Sequence, residues 1–197
     1  MTQPTTRSRL KLLVLVGLFF GPLALAALMY YAVPRWMPTG GGSKGVLVQP
    51  VQALPDAAFQ GESGAVAGRE LFDELWTVLT VAPQGCGDTC QTVLADTRQV
   101  RTLLHRRATR VQRVLVTGDA ADASLPDKGH PDLVVVTGGD RLQAFLNERA
   151  SAPAASGVIY LIDPLGNWVL YYPRDMDSPA DALFKDIKHL LKLSHIG

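Results

Sequence analysis

The sequence predicts a small α/β domain with a mixed sheet flanked by helices, carried behind a single apolar N-terminal helix. Three observations lead there. An uncharged run of 22 residues stands near the N-terminus. Beyond it, short β-rich apolar runs alternate with segments of helical periodicity. Near the end, two such runs are joined by a tight turn and followed by one amphipathic helix.

The apolar run covers residues 12–33. A bilayer core of about 30 Å takes roughly 20 apolar residues as a helix. Arg7, Arg9 and Lys11 precede the run, and Tyr30, Tyr31 and Trp36 stand at its far end. Basic residues favour the cytoplasmic flank and aromatic rings the interface. The expected order is therefore a cytoplasmic N-terminus (1–11), a transmembrane anchor (12–33), a flexible tether (34–45) and an outward domain (46–197). Ala24-Leu25-Ala26 also suits a signal-peptide cleavage site, but the apolar run continues past it. Pro34, Pro38 and Gly40-Gly41-Gly42-Ser43 stop a helix and supply the tether.

Charge excludes one class of function. The chain has 19 Lys and Arg against 18 Asp and Glu. Without the three basic residues of segment 1–33, 16 remain against those 18. No basic face offers itself to nucleic acid.

Each element of the domain has its own signal. Residues 46–51 form a short β-branched stretch, and 56–69 give little pattern. Trp76-Thr77-Val78-Leu79-Thr80-Val81 reads as a buried strand stopped by Pro83. Residues 84–107 look helical, with Val93, Val100, Leu103 and Leu104 at helical spacing and basic residues at the end. Residues 111–117 and 133–136 are strands, the latter ended by Gly138-Gly139. Asp140 suits the cap of a helix through 149. Residues 158–162 and 168–172 form a hairpin around Asp163-Pro164-Leu165-Gly166. Ser178 and Pro179 open a last helix through 193. Alternation implies crossovers and a partly parallel sheet. The closing hairpin and helix make the domain thioredoxin-like.

The only cysteines are Cys86 and Cys90, spaced Cys-Gly-Asp-Thr-Cys just after the first central strand. A helix start favours a thiolate, which predicts solvent access, although Asp88 opposes that charge. Three readings stay open. The pair cycles between dithiol and disulfide, binds a soft metal such as Cu(I), or forms a structural bridge. The last adds little stability across so short a loop.

This arrangement resembles the Sco/SenC family, the thioredoxin-fold copper proteins of cytochrome c oxidase assembly. The resemblance spans residues 46–193. It rests on the N-terminal anchor, the strand running into Cys86-Gly87-Asp88-Thr89-Cys90, and Tyr160-Leu161-Ile162-Asp163-Pro164-Leu165-Gly166. Three residues between the cysteines distinguish it from thioredoxins, which have two, and Asp88 matches a residue often found between the Sco cysteines. The resemblance implies thiol–disulfide oxidoreductase chemistry or Cu(I) binding at Cys86 and Cys90. It further implies partners among respiratory oxidase subunits or copper-assembly proteins, and a place in the bacterial inner membrane with the domain in the periplasm or outside. A non-catalytic scaffold in a membrane complex is the other reading.

Several positions depart from the family. Gly87 stands where Sco proteins have proline. Their third copper ligand is a histidine five residues before the tyrosine, where this chain has Ala155. Gly157 replaces the cis-proline expected three residues before Tyr160, with Pro153 displaced upstream. His130 is the one histidine worth testing as a substitute; His105, His189 and His195 read as surface residues. With two thiolates and no imidazole, Cu(I) is expected to bind and a stable Cu(II) complex is not.

Overall fold

The computed structural model describes residues 6–32, 42–61, 66–149 and 157–194. The chain divides into two compact units, Met1–Gly41 and Gly42–Gly197.

The first unit contains helix α1, Thr6–Ala32, 27 residues with Pro22 inside it. At 1.5 Å per residue it is about 40 Å long. Its described apolar side chains are exposed, from 43% at Val16 to 75% at Phe19. Among the described residues no helix is long and apolar enough to cross a membrane. Residues 13–28, the described uncharged run, fall short of the roughly 20 that a bilayer core needs. Leu12 and residues 29–33, whose side chains are not described, complete the run in the sequence.

The second unit is an eight-stranded sheet with helices on both faces. Its strands are β1 (Val46–Ala53), β2 (Phe59–Gly61), β3 (Val66–Ala67), β4 (Trp76–Ala82), β5 (Val111–Thr117), β6 (Leu133–Gly138), β7 (Ile159–Ile162) and β8 (Asn167–Tyr172). Their spatial order is β1-β8-β7-β4-β5-β6-β2-β3. Strands β4, β5 and β6 run parallel, and the remaining pairs are antiparallel. The helices are α2 (Asp88–Leu103), α3 (Asp140–Arg149) and α4 (Pro179–Leu193). The mixed, thioredoxin-like sheet expected from the sequence is thus present.

Alternation along the central strands splits the core. Leu79, Val81, Val114 and Val116 pack with Leu142 and Leu146 of α3, while Val78 and Val111 pack with Val100 of α2 and with Leu183 and Ile187 of α4. Every residue of β4 is buried, as a strand covered on both faces requires.

Two expectations on element boundaries are corrected. The segment 84–107 is not one helix: α2 starts at Asp88 and ends at Leu103, followed by a 3-10 turn, His105–Arg110. Gly85 at φ +91° and His105 at φ +50° interrupt helical geometry at the two ends. The weak segment 56–69 holds the short β2–β3 pair, which extends the sheet beyond β6. Of the tether, residues 34–41 lie outside the described residues. Its last residues are tied down, since the Lys44 and Gly45 amides donate to the Asp186 carboxylate at 2.8–2.9 Å. Tyr172 Oη donates to the same group at 3.0 Å. Burial, then the Asp186 carboxylate, push the Tyr172 phenol far above its ordinary value, so it remains a donor.

Candidate functional site

The site grows from the end of β4. Ala82 closes the strand and Pro83 cannot continue it. Gly85 turns the chain back, its amide donating to the Ala82 carbonyl at 3.0 Å. A φ of +91° suits glycine there. Cys86 follows, before the helix; Gly87 is the N-cap of α2, and Cys90 lies in its first turn. The two cysteines therefore sit on different elements, Cys86 on the turn and Cys90 on the helix.

Cys86 and Cys90 are joined in a disulfide, with Cα atoms 5.0 Å apart. Cys86 is 8% exposed and Cys90 fully buried. The expected solvent access of both sulfurs is not found in this bridged state. The cause is packing: Ala82, Leu94, Leu115, Leu125, Leu133 and Val135 enclose the pair. Cys86 is the outer residue of the two.

Two polar groups from the end of β5 reach the turn. The Cys86 amide donates to Asp122 Oδ2 at 2.9 Å. Thr117 Oγ1 donates to the same oxygen. Asp122 sits in the 3-10 turn Ala120–Ser124, capped by Asp119, whose Oδ1 accepts from the Ala121 amide at 2.9 Å. A side chain at Gly118 would place its Cβ 2.0 Å from the Pro83 carbonyl oxygen. Only glycine lets the two connections approach so closely. The sequence reading missed Asp122 and Thr117. A usable signal existed: in a parallel sheet the segments that follow neighbouring strands share one edge, which places 118–122 beside 83–87.

Gly157 lies on the other side of the bridge. A Cβ there would meet Thr89 Cγ2 at 3.0 Å and Arg174 Cδ at 3.2 Å. The residue read as replacing the cis-proline thus abuts the cysteine loop. Ala155 and Pro153 lie outside the described residues.

His130 does not join the cysteines. Its neighbours on α2 are Ala95, Arg98, Gln99 and Thr102, around a cavity of about 460 Å³. Arg98 lies eight positions beyond Cys90, about 12 Å along the helix. His130 also precedes β6, at the opposite end of the parallel strands. Burial, then Arg113 and Arg98, lower its pKa. His105 and His189 are exposed, and His195 lies outside the described residues. Among the described residues no group of three His, Cys, Asp or Glu side chains could hold a metal ion. Among the described residues the donor set is the two sulfurs. Once reduced, that set fits two-coordinate Cu(I) and leaves Cu(II) without the imidazole it favours.

Comparison with known proteins follows the same division of the chain. Residues 3–33 match the model of a transmembrane-like N-terminal domain, and 76–194 that of a transmembrane-like, thioredoxin-like C-terminal domain. No curated protein sequence matches. Among solved structures, apo Sco1 from Thermus thermophilus superposes with a TM-score of 0.59 at 18% identity, over 77% of this chain and 99% of that one. Copper-bound yeast Sco1 gives 0.59 at 17%, over 73% and 94%. BsSco, a Sco-family cytochrome c oxidase assembly protein with a disulfide switch, gives 0.55 at 16%, over 74% and 96%. At these identities the likeness is one of fold, and it agrees with the resemblance stated above. The chain belongs to the family of transmembrane-like proteins with a thioredoxin-like C-terminal domain.

Proposed function

We propose that this protein is a membrane-anchored thiol–disulfide exchange protein that acts through Cys86 and Cys90 in the assembly of cytochrome c oxidase. The observation that carries the reading is the bridged pair at the end of β4, in a fold shared with Sco proteins. Cys86, the more exposed residue of the pair, is the one that meets a partner; Cys90 resolves the mixed disulfide. Cu(I) is the alternative cargo of the reduced pair, and copper-bound Sco structures support that form. The two-sulfur donor set limits it to Cu(I).

The anchor reading rests on the uncharged run 12–33, its one-sided basic flank and the N-terminal family match. It places the domain outside the cytoplasm of a bacterial inner membrane. Alkaline phosphatase fused after Gly42 is expected to be active. An inactive phosphatase with an active cytoplasmic reporter at that site would reject the topology.

The exchange reading is tested on the full-length protein in detergent. Equilibration with glutathione buffers, followed by trapping of free thiols, is expected to show one two-electron transition that Cys86→Ala abolishes. Titration of the reduced protein with Cu(I) against a chromophoric chelator measures the second form. A bridge that never opens in dithiothreitol, with no Cu(I) uptake, would leave the non-catalytic scaffold as the surviving reading.

A further inference from the structure

Asp122 has no place in the exchange chemistry as described so far, yet its carboxylate binds the backbone of the outer cysteine. The Cys86 amide donates to Oδ2 at 2.9 Å, and Thr117 Oγ1 donates to the same atom. Hydrogen bonds to an ionised acceptor are among the stronger ones in proteins. The carboxylate is itself held in place. The Gly118 amide donates to the Ala82 carbonyl at 3.1 Å, and Gly118 lies against Pro83 at a distance no side chain would permit. The Asp119 amide donates to Thr117 Oγ1 at 3.1 Å. Asp122 is therefore fixed by the paired ends of β4 and β5, independently of α2. Cys90, in contrast, is fixed by the first turn of α2 and is fully buried. Two separate elements thus hold the two cysteines with their Cα atoms 5.0 Å apart.

We infer that Asp122 is a positioning residue that clamps Cys86 beside Cys90, biases the pair toward the disulfide and so makes the dithiol an electron donor to its partner. The inference rests on the exchange reading and adds the direction of electron flow. Without the clamp, the turn 83–87 gains freedom in the dithiol, and closing the ring then costs more conformational entropy. With the clamp, most of that freedom is already lost before the bond forms. The two thiols then meet at a higher effective concentration. A dithiol that closes readily gives up its electrons readily.

The donated pair can be followed atom by atom. The Cys86 thiolate attacks one sulfur of a partner disulfide, that S–S bond breaks, and the departing partner thiolate takes up a proton. The Cys90 thiolate then attacks Cys86 Sγ and breaks the mixed disulfide. The second partner thiolate leaves and is protonated. Two electrons and two protons pass to the partner, and the Cys86–Cys90 bond remains.

The test is the glutathione equilibrium of the full-length protein in detergent, with melting temperatures of both redox forms. Asp122→Ala is expected to shift the equilibrium about tenfold toward the dithiol, which is about 30 mV for a two-electron couple. Asp122→Asn keeps an acceptor for the Cys86 amide and is expected to stay near the wild-type equilibrium, with only a small part of that shift. Thr117→Val loosens the carboxylate from one side and is expected to give a smaller shift, in a variant that leaves Asp122 intact should the alanine variant not fold. If Asp122→Ala, or Thr117→Val in its place, lowers both melting temperatures equally and leaves the equilibrium unmoved, the residue is structural and the inference is overturned. If the wild-type bridge does not exchange with glutathione at all, the exchange reading itself fails, a different result from normal exchange that ignores Asp122.

Discussion

The two ends of the parallel strands β4, β5 and β6 are built on opposite plans. At the C-terminal end the chain turns through glycines and backbone approaches backbone. The bridge lies there under a carboxylate that accepts from the Cys86 amide. At the N-terminal end a guanidinium is buried instead. Arg113 is 1% exposed, with Nη1 on Asp132 Oδ1 at 3.0 Å, Nε on Thr97 Oγ1 at 3.2 Å and Nη2 on the Leu94 carbonyl. Arg101 shares Asp132 at 3.5 Å. One end keeps a covalent bond at the edge of the core, with Cys86 as its outer residue. The other sinks a charge into the core and surrounds it with acceptors. The first arrangement suits chemistry and the second suits stability, because a buried charge is tolerated only with its partners in place.

That contrast predicts that the largest loss of stability comes from the end without the cysteines. Arg113→Ala removes the side chain that ties α2 to β5 and to Asp132, and leaves the Leu94 carbonyl without this donor. Breaking a buried pair of this kind costs about 3–5 kcal/mol. Equilibrium denaturation measures it, and a loss below about 1 kcal/mol would mean that Arg101 alone satisfies Asp132. Burial, first, depresses the Arg113 pKa, while Asp132 raises it. The side chain stays charged at neutral pH because a guanidinium titrates far above it.

At the cysteine end the comparable test is Gly118→Ala. The added Cβ would stand 2.0 Å from the Pro83 carbonyl oxygen, a backbone atom that cannot swing aside. Overpacking of this sort costs about 1–3 kcal/mol. The displacement also carries Asp122 away from the Cys86 amide. The variant is expected to lose stability and to shift the glutathione equilibrium toward the dithiol. A change in stability with no redox shift would separate the two connections and weaken the comparison.

How far these two ends were legible in the sequence follows from their physics. The cysteine pair announced itself as a candidate site through its close spacing, the β-rich run before it and Pro83, while its bridging stayed one of three open readings. The succession of β4 to β8 along the chain followed from alternation and the Asp163–Gly166 turn, but their spatial order did not. The Arg113 pin was not legible, because a charge between Gln112 and Val114 reads as an exposed position of a strand. Only the tertiary placement of Asp132 and Leu94 makes burial tolerable. The Asp122 contact depends on Gly118 approaching Pro83 across two connections, and no local pattern records that distance. His130 was read as the histidine to test for the cysteines, and the strand direction puts it at the wrong end. The β2–β3 pair escaped because two or three residues per strand give no period.

The bridge itself is expected to contribute less to stability than the Arg113 pin. A loop of about five residues loses roughly 2 kcal/mol of closure entropy in the chain-entropy model. Replacing both cysteines by alanine is expected to lower unfolding free energy by about that much, or less. Thiol exchange, in contrast, is expected to vanish entirely. A loss well above about 3 kcal/mol would make the disulfide a structural staple and bring the two ends of the sheet closer in kind.

The smallest expected effect belongs to His130 and carries its own pH signature. Its Nδ1 is buried without a hydrogen-bond partner among the described residues. Burial, then Arg113 on β5 and Arg98 on α2, lower its pKa below the ordinary 6.5, while Asp132 opposes them. Lys128, on the same loop, lines the cavity beside it. A histidine whose folded pKa lies below its unfolded one binds fewer protons when folded. Stability is then fully present above the unfolded value and is lost as pH falls from about 6.5 toward the folded pKa. Below that window the loss is complete and constant. His130→Asn should remove this dependence and leave the protein less sensitive to acid between pH 7 and pH 5. The partial exposure of the ring and solvent screening keep the difference below about 1 kcal/mol. Denaturation of the wild type and the variant at several pH values reads it directly. Parallel curves for the two proteins across that window would show that the ring stays hydrated and that Arg98 and Arg113 do not act on it.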